Sequence, residues 1–259
     1  MKPTSVRRTA LAASAAALAL LVTACGGDGD KADEGKGASE STAAAAPAAK
    51  ALTAAELEKV ALAQSDVKEG KVAAKVPARD DIAADQVKTD DEACLPLARA
   101  QAGVAQGEPA ATTKRSWTGE PKKPSAGTDP EEAVKAAFDV SKMLITLASY
   151  EDGGAEKAMK DLSTAAEKCA AGFKATTTGE KMEIAEVAAT AAPKGGDEGA
   201  AITLTLVADE GLKAPNKLVA VRKGSTLVTF SVVNLAAMAE GKDFEVPADV
   251  VNAQVAKLG

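Results

Sequence analysis

The stretch KLVAVRKGSTLVTFSVVN, from Lys217 to Asn234, decides the fold of this chain. Its two halves are rich in Val and Thr, the residue types enriched in strands, and Arg222-Lys223-Gly224-Ser225 forms a turn signal between them. The pattern predicts two antiparallel strands, 217–223 and 225–234, joined by a tight hairpin. A sheet is therefore the framework on which the rest of the chain is placed.

More strands precede the hairpin. Residues 201–208 alternate Ile and Leu with Thr, the period of a strand with one buried face. The run VSKMLITLASY, residues 140–150, is too continuously apolar for a surface helix and predicts a buried central strand. Weaker patterns predict strands at 71–77, 111–118 and 181–190.

Helix signals lie between and beyond the strands. Thr53 and Glu56 form a capping box that starts a helix reaching about Ser65, and Asp129-Pro130 starts another. Further helices are predicted at 90–101, 155–172 and 247–258. Together, the predicted strands and helices indicate an α+β domain over residues 51–259, an antiparallel sheet with helices mainly on one face.

The amino-terminal segment, residues 1–24, has the layout of a secretory signal peptide. Lys2, Arg7 and Arg8 precede an apolar run from Thr9 to Ala24, which is shorter than the roughly 20 residues of a membrane-spanning helix. Val22-Thr23-Ala24-Cys25 resembles the lipobox of bacterial lipoproteins. The resemblance implies that Cys25 carries a diacylglyceryl group and anchors the protein to the outer face of the cell membrane. The alternative is a secreted protein cleaved after Ala24.

Residues 25–50 follow as a flexible tether of Gly, Ala, Ser and charged residues, too polar to form a core. The chain as a whole holds 37 acidic and 31 basic residues, a net charge of −6. This acidic balance makes nucleic acid an unsuitable partner. A local exception is the basic cluster Lys114-Arg115 and Lys122-Lys123 around Trp117, which we interpret as a solvated loop flank; the alternative is contact with an anionic envelope polymer.

Two cysteines remain in the domain, Cys94 and Cys169. An even pair in an exported chain predicts a disulfide, because the outer side of the membrane is oxidising. Two separate buried thiols are the alternative.

The chain contains no histidine, so neither a Ser-His-Asp nor a Cys-His catalytic arrangement can form, and we predict no catalytic, metal or cofactor site. Paired carboxylates leave a glycoside-type hydrolase as an alternative. The acid clusters are Asp80-Asp81, Asp90-Asp91-Glu92, Glu131-Glu132, Glu151-Asp152 and Asp209-Glu210. Each lies at a predicted turn or helix start, where acids cap backbone amides.

Residues 52–259 resemble a group of actinobacterial lipoproteins whose domain is similar to the extracellular sensor domain of mycobacterial receptor serine/threonine kinases. The features that carry the resemblance are EACLPLA, LASYEDGG, AAEKCAAGF and the hairpin, in that order. The resemblance implies an extracytoplasmic sensor or binding domain. This chain differs from the kinase domains in having one cysteine pair in the domain, whereas those domains typically have a second disulfide.

These observations favour a non-enzymatic binding or sensor module for an envelope ligand or a partner protein. We expect the ligand groove between the sheet and residues 103–127. The alternative is a lipid or glycolipid carrier, which requires a large apolar cavity between the sheet and the helices.

Overall fold

The computed structural model describes residues 50–121, 123, 127–208 and 211–258. The predicted signal peptide, Cys25 and the tether up to residue 49 lie outside the described residues, as do Lys122 and the cluster Asp209-Glu210.

Nine strands and six helices form within the described residues. The strands are β1 (Lys71–Ala73), β2 (Val87–Thr89), β3 (Ala111–Thr118), β4 (Ser141–Ser149), β5 (Phe173–Thr177), β6 (Glu180–Thr190), β7 (Glu198–Val207), β8 (Lys213–Lys223) and β9 (Thr226–Asn234). The helices are α1 (Ala54–Val60), α2 (Leu95–Gln101), α3 (Pro130–Phe138), α4 (Gly154–Lys168), α5 (Leu235–Glu240) and α6 (Ala248–Ala256).

All nine strands belong to one antiparallel sheet in the order β1-β3-β4-β9-β8-β7-β6-β5-β2. Strands β5 to β9 form a continuous meander, and β9 pairs with β4 to join it to the β3–β4 pair. The two edge strands contain only three residues each, which limits pairing with other chains. The predicted α+β class and antiparallel sheet are confirmed.

The sheet has an apolar core on each face. On the first face, α2 and α4 cover residues such as Leu204, Leu218 and Leu227. On the second face, α1 and α6 cover Ile145, Phe230 and their neighbours. The prediction of helices mainly on one face is therefore corrected. Strands β8 and β9 are apolar on both sides, so both sides must be shielded from water.

The predicted disulfide is present. Cys94, at the start of α2, is bonded to Cys169, the residue that ends α4, and their Cα atoms are 5.9 Å apart. Both side chains are buried in the first core. The bond therefore joins the two helices that cover this face.

Several element boundaries differ from the sequence predictions. Helix α1 ends at Val60 because buried Gln254 of α6 donates to the Val60 carbonyl and accepts from Leu62 N–H, which replaces further helical bonds. Helix α4 ends before Gly172, whose φ of +90° turns the chain into β5, a strand that was not predicted. Strand β2 and helix α5 were also missed.

An ion pair links α1 to β3. Arg115, which is buried, has its Nη2 2.6 Å from Glu58 Oε2, and Thr113 also donates to this carboxylate. Hydrogen bonds from Arg115 first and Thr113 second hold the pKa of Glu58 below its usual value of 4.5. A carboxyl whose pKa is lowered by folding stabilises the fold above its unfolded pKa, and this stabilisation is lost as the pH falls through the folded value.

We therefore expect Glu58→Gln to lower the free energy of unfolding at pH 7 by about 1 kcal/mol, a modest loss because the carboxylate is half exposed. The difference from the parent should shrink as the pH falls below 4.5, where Glu58 also becomes neutral. Urea denaturation at pH 7 and pH 3 measures both values, with Glu167→Gln as the control on exposed α4 surface. An equal difference at the two pH values would contradict the stabilising role of the charge.

Candidate functional site

An open cleft of about 550 Å³ lies at one end of the sheet, where β3 ends, β4 begins and β9 runs into α5. We call it the acidic cleft. Its lining includes Trp117, Phe244, Asn234 and Lys242, and six carboxylate residues, which are Glu69, Glu120, Asp139, Glu240, Asp243 and Glu245.

The walls of the acidic cleft are held together by Asn234, which is buried. Its Oδ1 accepts from Ala237 N–H at 2.9 Å and so caps α5. Its Nδ2 donates to Asp139 Oδ1 at 2.8 Å and to Ser141 Oγ at 3.2 Å. One side chain therefore fixes α5 and the loop that leads into β4.

Two aromatic residues add rigid apolar surface to the cleft. Trp117 is 6% exposed, and its Nε1–H donates to the Glu69 carbonyl at 3.0 Å. Phe244 lies beneath Lys217, whose Nζ is 5.1 Å from the ring centroid. The indole bond fixes the position of the loop that carries Glu69.

The charge of the cleft is negative. Lys242 pairs with Glu240 at 2.6 Å, and Lys217 pairs with Asp243 at 2.8 Å. The hydrogen bond from each lysine is the main cause that lowers the pKa of its partner carboxyl. Glu69, Glu120 and Glu245 have no basic partner within 4 Å among the described residues, so an excess of negative charge remains. Such a cleft attracts cations.

Two other clefts open on the surface, and the first is bordered by lysines. It contains Lys88, Lys174 and Lys181 on β2, β5 and β6, together with Asp90 and Glu183. The second lies beside Glu156, Lys160 and Glu198. Neither combines aromatic surface with a strong excess of one charge.

The four acid clusters that lie within the described residues do not line the acidic cleft. Asp81 pairs with Lys114, Asp91 caps Ala93 N–H, and Glu131 pairs with Lys135. Asp90 accepts from Lys174 N–H at 2.9 Å. These acids hold loops and helix ends, as the structural interpretation of the clusters expected.

The basic cluster around Trp117 is also different from its prediction. Arg115 is buried beneath α1, and Lys114 donates to Asp81 and to the Ile82 carbonyl. These two residues are not a solvated loop flank, because they belong to β3 and their charges are neutralised within the fold.

The geometry gives no support to the hydrolase alternative. A glycosidase general acid requires a raised pKa, whereas the pKa values of Glu240 and Asp243 are lowered. Among the described residues, no group of three or more His, Cys, Asp or Glu side chains is arranged to hold a metal ion.

The helix–sheet interfaces bear on the carrier alternative. A cavity for acyl chains would leave the side chains that line it exposed to the cavity, but Leu97 and Leu162 on the helices and Leu204 on the sheet are at most 1% exposed. The described interface is packed at these positions. No helix in the described part of the chain has the length and apolar character needed to cross a bilayer.

Four chains of solved structures are similar to this protein, among them the following two. The extracellular domain of PknH from Mycobacterium tuberculosis is 10% identical, with 81% of this chain and 95% of that chain covered and a TM-score of 0.43. An uncharacterized protein from Mycobacterium smegmatis, the Rv0999 ortholog, is 13% identical, with 82% and 98% covered and a TM-score of 0.34.

The first of these structures is the extracellular domain of a mycobacterial protein, the kind of protein that the sequence resemblance named. No protein-family model and no curated protein matches the chain. Both TM-scores are below 0.5, so the likeness assigns no ligand and no activity to this protein.

Proposed function

We propose that this protein is a lipid-anchored, extracytoplasmic, non-enzymatic binding module that takes a cationic group of its ligand or partner in the acidic cleft. The observation that carries the proposal is the cleft itself, with six carboxylates and two aromatic side chains at one end of the sheet. Charged clefts with apolar walls raise the local concentration of ions of opposite sign. The likeness to an extracellular domain fits this proposal.

The position of the cleft suits a tethered domain. The described chain begins at Lys50, whose carbonyl accepts from Ser225 Oγ at 2.8 Å in the β8–β9 hairpin. This turn is next to Ser149 at the end of β4, whereas the acidic cleft is at Ser141, where β4 begins. A nine-residue strand spans about 30 Å. The cleft therefore opens at the end of the domain away from Lys50, where the described chain begins.

The anchor is supported by the sequence alone. We expect Cys25→Ala to release the protein from the membrane fraction or to leave its signal peptide uncleaved, because the acylated thiol is absent. Fractionation and mass spectrometry of the intact protein measure both effects, and Ser41→Ala in the predicted tether is the matched control, since it removes a small polar group and no cysteine. Normal processing with full membrane retention would contradict the anchor.

Cation binding at the cleft is tested with spermidine as the probe. We expect calorimetry on the full-length protein in neutral nanodiscs to show binding that weakens as salt rises, because exposed charges are screened. Glu120→Gln with Glu245→Gln should weaken it about three- to tenfold, the range of exposed charge pairs.

Glu167→Gln with Glu186→Gln is the matched control, since it removes the same charge from exposed sites outside the cleft lining. An equal loss of affinity in both double variants would mean that only net charge matters, and the cleft would lose its assigned role.

A further inference from the structure

The described surface exposes three large apolar side chains, two of which are next to residues that line the acidic cleft, while the third lies one helical turn from one of them. They are Val134 (57% exposed), Phe138 (59%) and Leu212 (36%). Exposed apolar side chains that occur singly need no explanation, but a group around one charged cleft indicates an interaction surface.

Two of the three belong to α3. Val134 and Phe138 are four residues apart, so they lie on the same side of the helix. Helix α3 buries none of its side chains, and it packs against α5. Phe138 is followed directly by Asp139, a wall of the acidic cleft. One apolar residue of α3 is therefore directly adjacent in the chain to the lining of the cleft.

The third residue borders the cleft from the other side of α5. Gly241 ends α5 with a φ of +65°, and a Cβ placed there would lie 2.9 Å from Leu212 Cδ1. Leu212 thus packs against the backbone between Glu240 and Lys242, which both line the cleft.

From this arrangement we propose that Val134, Phe138, Leu212 and the acidic cleft form one docking surface for a basic amphipathic segment of a partner protein. The apolar side chains of the segment contact α3 and Leu212, and its Lys or Arg side chains enter the cleft. This inference rests on the proposed function, because it assigns the cationic group to a peptide.

Charge complementarity selects this occupant. An apolar surface bordered by six carboxylates repels anionic lipid headgroups and attracts a segment that presents both positive charge and apolar anchors. A helix that carries apolar residues at i, i+3, i+4 and i+7 provides such anchors on one side and lysines on the other.

The test uses a 14-residue Leu/Lys amphipathic peptide and the full-length protein in neutral phosphatidylcholine nanodiscs, with empty nanodiscs as the blank. We expect Val134→Ser with Phe138→Ser to weaken peptide binding about tenfold or more, because two exposed anchors are lost. The same variant should bind spermidine as the parent does. Its melting temperature should also match the parent, since neither side chain is buried.

The outcomes separate the two proposals. Spermidine binding that depends on Glu120 and Glu245, together with peptide binding that is unchanged in the Val134→Ser, Phe138→Ser variant, would overturn the docking surface and leave the proposed function standing. Failure of both probes to bind would overturn both. If the variant instead loses self-association, or attachment to phosphatidylglycerol vesicles, while its peptide binding is unchanged, a second copy or a lipid is the occupant and the inference is wrong.

Discussion

Joint replacement of Cys94 and Cys169 by alanine is expected to lower the free energy of unfolding by about 4 kcal/mol. The disulfide closes a loop of 75 residues, and the loop-entropy model assigns this loss to the greater freedom of the unfolded chain. The bond also joins α2 to α4 over the first core, so its loss removes the covalent link between these two helices. Guanidinium denaturation of the parent and the variant measures the effect.

The reductant provides the matched control. Reduction should shift the unfolding midpoint of the parent to nearly that of the double variant, and it should leave the variant itself unchanged. A parent whose midpoint is the same with and without reductant, with no free thiol before treatment, would show that the disulfide contributes nothing to stability.

Replacement of Phe230 by alanine is expected to lower the free energy of unfolding by about 3–5 kcal/mol, the second large effect. Phe230 is fully buried near the middle of β9, opposite Ile145 of β4 and Val219 of β8. These strands lie near the middle of the sheet, where α1 and α6 cover the second core. The surrounding side chains can close only part of the resulting cavity, so contacts are lost as well as buried apolar area.

Phe138→Ala is the matched control for this substitution. It removes the same atoms from a side chain that is 59% exposed, and it should change the unfolding free energy by less than about 0.5 kcal/mol. Urea denaturation of both variants makes the comparison. Equal losses at the two positions would contradict the assignment of the second core.

Local sequence patterns predicted the elements whose signals are short range. The strand at 111–118 is present with its predicted bounds, and the helix capped by Asp129 starts where it was predicted. The hairpin turns at Gly224 as predicted, although its first strand starts four residues earlier, at Lys213. These signals are turn residues, caps and apolar runs, and each acts within a few positions. The pairing of Cys94 with Cys169 also followed from their number and the expected compartment.

The elements that the sequence patterns did not predict depend on tertiary contacts. Strand β5 forms because Gly172 breaks the chain direction after Cys169, and the apolar spacing that runs from Ala155 to Phe173 concealed this break. The second layer of helices could not be predicted locally, because apolar residues on both sides of a strand such as β8 do not indicate which element covers each side.

The acidic cleft could not be predicted locally. Its carboxylates come from positions as distant as Glu69 and Glu245, and they meet because β4 pairs with β9 across about 90 residues of chain. The groove expected beside residues 103–127 stays a prediction, and Trp117 and Glu120 of that segment line the acidic cleft. The cleft can be predicted from the sequence only after the β4–β9 pairing is known. This pairing places the end of β3, the start of β4 and the end of β9 at the same end of the sheet.

The most direct test of the central claim is amide chemical-shift mapping by NMR of the full-length protein titrated with spermidine. The account predicts that the perturbed amides cluster in the acidic cleft, at Glu120, Asp139 and residues 240–245, and that those of Lys88, Lys174 and Lys181 do not move. Perturbations spread evenly over the acidic surface, or centred away from these residues, would contradict the assignment of the cleft as the binding site.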